Sequence, residues 1–329
     1  MIYNPIKVEL EELKSAVSAE PGSFGWDLEW IPTSEEDPGQ GMAQSALDLG
    51  ARMVVAVGGD GTVRAIAEVL RGTKVRLALL PVGTGNLLAR NLTLTLQDTA
   101  HSLATAFNGS TRQIDVAGIE IRRPDGEVNR HAFLVMAGAG LDAKIMSNTD
   151  PELKKRIGWL AYAHALIGVS RDKTMLRLTY KLDSHAKRRV RAQSIVIGNC
   201  GLLPANIVLL PDAVLDDGLL DVIVLKPESF RGWVAVMFTI LWEHGVVKRF
   251  RTERQLTQLK SESIDLHQCT TLDVTLSRPE EVELDGDPFG EMVGCRVTVE
   301  PGALAIMVPL DEASEGRSSD TARPRASHG

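Results

Sequence analysis

The hydrophobic pattern divides the chain into two regimes. Residues 53–57 (MVVAV) and 77–80 (LALL) are uninterrupted apolar runs. They are too short for helices and lack the alternation of a half-exposed strand, so both are expected as strands buried on two faces of a parallel sheet. Behind the first run, Val63, Ile66, Ala67, Val69 and Leu70 recur at helical spacing. Behind the second, segment 87–92 (LLARNL) makes a short helix with Asn86 at its cap. Helical patterns also cover 8–17, 42–49 and 99–107, and 27–31 reads as a further strand. Strands alternating with helices predict an α/β domain over residues 1–112.

From Ile114 the pattern shortens into VAGIEI, RPDGE and HAFLVMAGAG. Short alternating runs broken by a Pro-Asp-Gly turn predict antiparallel strands, and 175–182 and 194–199 continue them. This β-rich second domain is expected over residues 113–310. The tail 311–329 holds Ser, Arg, Asp and Glu with almost no large apolar residue, so it is expected to be disordered.

Both buried runs end in glycine turns, GGDGT (Gly58, Gly59, Asp60, Gly61, Thr62) and GTGN (Gly83, Thr84, Gly85, Asn86). Parallel strands with helical crossovers bring both turns to the carboxyl edge of the sheet, where open α/β sheets bind ligands. Glycines let backbone N–H groups crowd an anion, and helix N-termini add positive potential. Asp60 cannot hold a phosphate itself. It either binds a metal ion that does, or accepts hydrogen bonds from a ribose or from the loop. Neither turn fits the GxGxxG dinucleotide fingerprint or the GxxxxGK[ST] P-loop.

VVAVGGDGTVRAIAEVL followed by LALLPVGTGNLLARNL resembles the catalytic domain of the diacylglycerol kinase and sphingosine kinase superfamily of soluble lipid kinases. GGDGT alone is shared with NAD kinases; its pairing with GTGN at this spacing is the specific feature. The resemblance implies a nucleotide-binding α/β domain of the NAD-kinase and phosphofructokinase type, then a mainly antiparallel β-sandwich domain, with the acceptor between them. It implies ATP and Mg²⁺ as cofactors, Asp60 acting through Mg²⁺, and phosphates cradled by the two glycine turns. Asn4 and Thr33 match positions near the nucleotide, although NPIKV replaces the family's NPxSG turn. Lys7 then stands either as a substitute phosphate contact or as a solvated surface lysine. Thr33 is alternatively a helix cap, and Asp115 faces the cleft or satisfies a turn.

Two further signatures lie in the second domain. LLPDAVLDDGLLDVIVL (209–225) resembles P-x-A-x-x-x-D-G-x-L-D, a loop that holds a structural Mg²⁺ in bacterial members. By position that implies the Asp217 side chain with the carbonyls of Val214 and Leu219, an all-oxygen donor set; a plain turn is the simpler reading. Just upstream, LPANIV stands where relatives carry paired glycines. VELDGDPFG (282–290) places Asp285 and Asp287 on either side of a glycine. The resemblance is to D-G-E, whose acid takes the proton from the lipid hydroxyl, so Asp287 is the implied general base, one methylene shorter. Glu291 is the other candidate. Such a base must come within about 3 Å of the hydroxyl.

Composition alters this picture little. The 329 residues suffice for two domains, and the three cysteines have no metal or disulfide spacing, which points to a reducing cytosol. A net charge of −7 gives no reason to invoke nucleic acid. No signal peptide is evident, and WVAVMFTILW (233–242) is too short to span a bilayer, which needs about 20 residues. That segment reads as a buried helix or as an interfacial one. The expectation is a cytoplasmic enzyme that meets its lipid by transient peripheral contact. The acidic net charge argues against purely electrostatic attraction; the basic run 154–156 faces either a phosphorylated lipid or bilayer or, more simply, solvent, and a second basic cluster lies at 187–191. The competing functions are an NAD kinase and a nucleotide- or lipid-binding regulator without catalysis.

Overall fold

The computed structural model describes residues 1–140, 175–204, 207–226 and 263–310. The apolar segment 233–242, the basic run 154–156 and the tail 311–329 lie outside the described residues.

The first part alternates as its pattern requires: β1 (Ile2–Tyr3), α1 (Leu10–Ala19), β2 (Ile31–Pro32), α2 (Gln40–Asp48), β3 (Met53–Gly58), α3 (Asp60–Leu70), β4 (Arg76–Pro81), α4 (Leu87–Asn91) and α5 (Thr99–Asn108). The strand expected over 27–31 forms only at its end, because β2 is an edge strand whose neighbour β1 offers just Ile2 and Tyr3 for pairing. Strands β2, β1, β3 and β4 are parallel neighbours, with Val54 opposite Leu77 and Val57 opposite Leu80. The two apolar runs are buried on both faces. Val54, Ala56, Leu77 and Leu79 meet α2 and α3, whereas Val55, Val57, Ala78 and Leu80 meet α1 and α5.

The second part is antiparallel. Its strands are β5 (Ser110–Arg122), β6 (Val128–Phe133), β7 (Met136–Gly140), β8 (Leu176–Leu182), β9 (Arg188–Ala192), β10 (Ser194–Gly198), β11 (Leu202–Leu203), β12 (Ile207–Val208), β13 (Leu220–Leu225), β14 (Ile264–Cys269), β15 (Thr271–Leu284) and β16 (Asp287–Val308). The order β14-β13-β10-β7-β15-β16 runs on into β4-β3-β1-β2, with β5–β6 and β8–β9 branching from β16 and β15. Inward alternation along these strands builds the sandwich core around Phe133, Leu178, Tyr180, Val222, Leu272 and Val297. The fold is therefore an α/β domain followed by a mainly antiparallel β-sandwich domain.

Two connections decide where the site falls. Strand β5 passes from one region into the other without a break. The end of β16 returns to the parallel sheet, pairing Ile306 with Leu77 beside Met307 and Thr111. Residues near the C-terminal end of β16 thus complete the first sheet. The start of β16, at Asp287, faces its glycine turns.

Candidate active site

The two glycine turns touch. A Cβ on Gly83 would lie 2.8 Å from Gly59 Cα, so only glycine permits this approach. Asp60 ties the turns together: its Oδ2 accepts from Asn86 N–H at 2.8 Å and its Oδ1 from Leu87 N–H at 2.5 Å. Asp60 is thus the cap of α4. Asn86, expected in that role, stands in the left-handed region at φ 49° and turns its amide back onto Gly83, whose N–H it binds at 3.0 Å and whose carbonyl at 2.8 Å. Of the readings open for Asp60, hydrogen bonding to the loop is realised. Gly58, Gly59, Asp60, Pro81 and Asn86 line one small cleft. Thr84 is exposed at the loop tip and Thr62 is buried under Gly58.

Helix α3 begins at Asp60, and Val63 N–H is the first to close, onto Gly59 C=O at 3.0 Å. The first-turn N–H groups ahead of it face the turn, the arrangement that binds anions at helix N-termini. Lys7 joins them. A Cβ on Gly59 would lie 2.7 Å from Lys7 Nζ, so the ammonium group lies over the turn even though much of the side chain is exposed. Asn4, just after β1, supports this: its N–H binds Val57 C=O at 3.0 Å and its Oδ1 takes Ile6 N–H at 2.9 Å. Thr33 is buried, with its N–H on Tyr3 C=O at 2.8 Å. It caps no helix, because Asp37 does that for α2 through Gly39 and Gly41 N–H.

Asp287 arrives from the sandwich. Asp285 and Gly286, at φ 51° and 87°, form the two-residue loop of the β15–β16 hairpin, with Leu284 opposite Asp287. A Cβ on Gly61 would lie 2.7 Å from Asp287 Oδ2, so this carboxylate reaches the first turn of α3. Glu291 is exposed and lies opposite Glu281, on the strand rather than at the turn. Burial pushes both Asp287 and Asp60 above the ordinary carboxylate range. Arg64 and Lys7 draw Asp287 back down, and Asp287 pushes Asp60 up further.

Asp285 has a different task. It is fully enclosed and accepts three successive N–H groups, Leu134 at 2.9 Å, Val135 at 2.8 Å and Met136 at 3.0 Å. Those bonds hold the break between β6 and β7 where HAFLVMAGAG reads as one run. Asp115 likewise satisfies turns, taking Gly218 and Gly302 N–H at 2.7 Å each. In the loop between β12 and β13, Asp217 Oδ1 accepts Leu219 N–H at 3.0 Å, and Val214 is exposed. The described residues contain no cluster of three metal-ligating side chains.

Arg64 escaped the sequence reading because it looks like an ordinary helix-surface arginine. It is 4% exposed, its guanidinium lies 4.4 Å from the Phe289 ring centroid, and its Nη1 is 3.5 Å from Glu68 Oε2. Its Nε and Nη1 make no hydrogen bond. The only sequence signal was its position, two residues after GGDGT.

Residues 2–119 match the diacylglycerol kinase catalytic domain family, and residues 135–308 match the YegS C-terminal NAD kinase beta sandwich-like domain family. A Pseudomonas aeruginosa protein named "Probable lipid kinase YegS-like" is 33% identical over 91% of this chain and 90% of its own. The chain belongs to the YegS-like lipid kinase family. It is a phosphotransferase. A Pseudomonas fluorescens protein of the same name is 31% identical over 92% of each chain. A crystal structure titled as a diacylglycerol kinase from Bacillus anthracis shares the fold of this kinase, with TM-score 0.65 and 19% identity over 95% of this chain and 96% of that one.

Proposed function

We propose that this kinase transfers the γ-phosphate of ATP to the hydroxyl of a membrane lipid, with diacylglycerol as the leading acceptor and phosphatidic acid as the product. The observation that carries the reading is the meeting of three pieces: two abutting glycine turns, the N-terminus of α3, and Asp287 delivered onto Gly61 by the opposite domain. The turns and Lys7 cradle the phosphates, with Asn4 and Thr33 beside the nucleotide. Asp60 keeps the two turns in register. Asp287 accepts the proton of the attacking hydroxyl; burial raises its affinity for protons, the direction a general base requires. Positioning and charge neutralisation supply most of the rate in phosphoryl transfer, so little covalent chemistry falls to the protein.

Mg²⁺ accompanying ATP would neutralise charge on the transferring phosphate. A structural Mg²⁺ would be held in this loop by the Asp217 side chain and the carbonyls of Val214 and Leu219, an all-oxygen donor set. Asp212 and Asp217 there push the partly enclosed Asp221 carboxyl upward in addition to its burial, so the loop carries negative potential for a cation. No described helix is long and apolar enough to cross a membrane; the enzyme of this proposal visits the bilayer from the cytoplasm.

The test is transfer of labelled γ-phosphate into a panel of lipids in mixed micelles, with and without Mg²⁺. Asp287→Asn should lower kcat by about 10²–10⁴-fold at unchanged melting temperature. Activity retained in that variant would remove Asp287 as base. Label entering NAD instead of lipid would overturn the acceptor.

A further inference from the structure

The net charge of −7 conceals a separation of charge by surface. In the hairpin of β8 and β9, Leu176, Leu178, Tyr180 and Leu182 point into the sandwich with Ala192 and half-buried Val190. The alternate residues therefore lie on the outer face: Arg177, Thr179 and Lys181 on β8, and Arg189 and Arg191 on β9, with Lys187 just ahead of it. Five of these six are cations. Arg177 is directly opposite Arg191, a like-charge cross-strand pair that costs stability.

No carboxylate among the described residues forms an ion pair with them. Asp273, opposite Lys181 on β15, is engaged by Arg122 at 3.4 Å and Arg296 at 4.0 Å. Glu120 is taken by Arg130 at 2.9 Å. Asp183, in the hairpin turn, accepts from Thr270 and Thr271. Among the described residues β9 pairs only with β8, so within that part of the structure the cations border an open sheet edge. Charges on an edge strand guard against stray strand pairing. One or two suffice for that, and it does not account for Arg177 placed opposite Arg191 on the non-edge strand.

We infer that this outer face of the β8–β9 hairpin is a docking surface for anionic phospholipid headgroups. A flat row of guanidinium and ammonium groups matches a plane of phosphates, and each basic residue near such a surface multiplies binding several-fold. Net charge misleads here because screening confines the attraction to charges within a Debye length of the membrane, about 8–10 Å. The choice of a membrane as occupant rests on the lipid-acceptor reading of the active site; the charge pattern does not.

Sedimentation with large vesicles tests it, comparing pure phosphatidylcholine with phosphatidylcholine containing about one-third phosphatidylglycerol, at low and high salt. The full chain should bind the anionic vesicles only, and salt should weaken binding. Arg189→Ala with Arg191→Ala should reduce it about thirty-fold while leaving the phosphorylation rate in neutral detergent micelles unchanged. Lys181→Ala with Lys187→Ala provides a second pair of different residues on the same face, and Arg130→Ala, whose charge is already paired, should change little. Equal binding to both vesicle types, or wild-type binding by both double variants, overturns the proposal. Tighter binding of duplex DNA than of anionic vesicles, lost in the same variants, also overturns it by assigning the face to nucleic acid. Anionic-vesicle binding by an enzyme that phosphorylates no lipid would leave the surface standing and remove the acceptor reading instead.

Discussion

Replacing Gly83 by Ala probes whether the two turns form a preorganised cradle. Gly83 does not adopt a positive φ, so alanine brings no backbone strain and the effect is steric. The added methyl would lie 2.8 Å from Gly59 Cα and 2.8 Å from Asn86 Oδ1. Carbon atoms prefer about 3.5–4.0 Å, which leaves a shortfall of about 1 Å. Gly59 is backbone and cannot rotate away, and the Asn86 amide is held by both of its bonds to Gly83. The turns must therefore part by about 1 Å. A displacement of that size costs about 10²-fold in rate, and the overpacking costs about 1–3 kcal/mol of stability. Lipid phosphorylation kinetics alongside a thermal melt should show kcat/KM down about a hundredfold in a folded protein. A Gly83→Ala enzyme within about twofold of wild type would show that phosphate binding does not depend on this contact, and the cradle argument would fail.

Asp285→Ala should destabilise the protein by about 3 kcal/mol in urea unfolding, because it leaves the N–H groups of Leu134, Val135 and Met136 enclosed without an acceptor; an unchanged midpoint would show that water replaces the carboxylate. Burial pushes Asp285 up to about 6, with only partial compensation from those N–H groups and Arg64. A carboxyl whose folded value lies above its unfolded one binds its proton more tightly when folded. Its contribution is present below about pH 4 and is lost as pH rises through about 6, by up to about 3 kcal/mol. Urea midpoints measured between those limits should fall with rising pH, and less so in Asp285→Ala.

The fold was legible wherever local pattern and burial agree. MVVAV and LALL lie between two helical layers and are apolar on both faces, so their sequence states their environment directly. The Asp-Gly pair at 285–286 announces its hairpin because its positive φ angles suit few other residues. Pairings made across long separations were not legible. Nothing at Asp60 tells that its partners are Asn86 and Leu87, nor at Asp285 that it serves residues about 150 positions earlier. The same limit hid Arg64 and left Lys7 undecided between a phosphate contact and a solvated lysine. A lone basic residue reads as solvated until the structure supplies what lies over it, here Gly59 for one and Phe289 for the other.

The course of β16 bears on how this enzyme can be taken apart. One strand, bulged between Glu300 and Leu304, carries Asp287 at its start and, near its other end, Ile306, which pairs with Leu77 in the parallel sheet. A gene fragment cut after the last helix of the first half would leave β4 paired with β3 alone, its other edge an exposed template for aggregation. The two halves are thus not interchangeable cassettes. Exchanging second domains between relatives to change the acceptor would need the junction placed so that the final stretch of β16 stays with its original sheet.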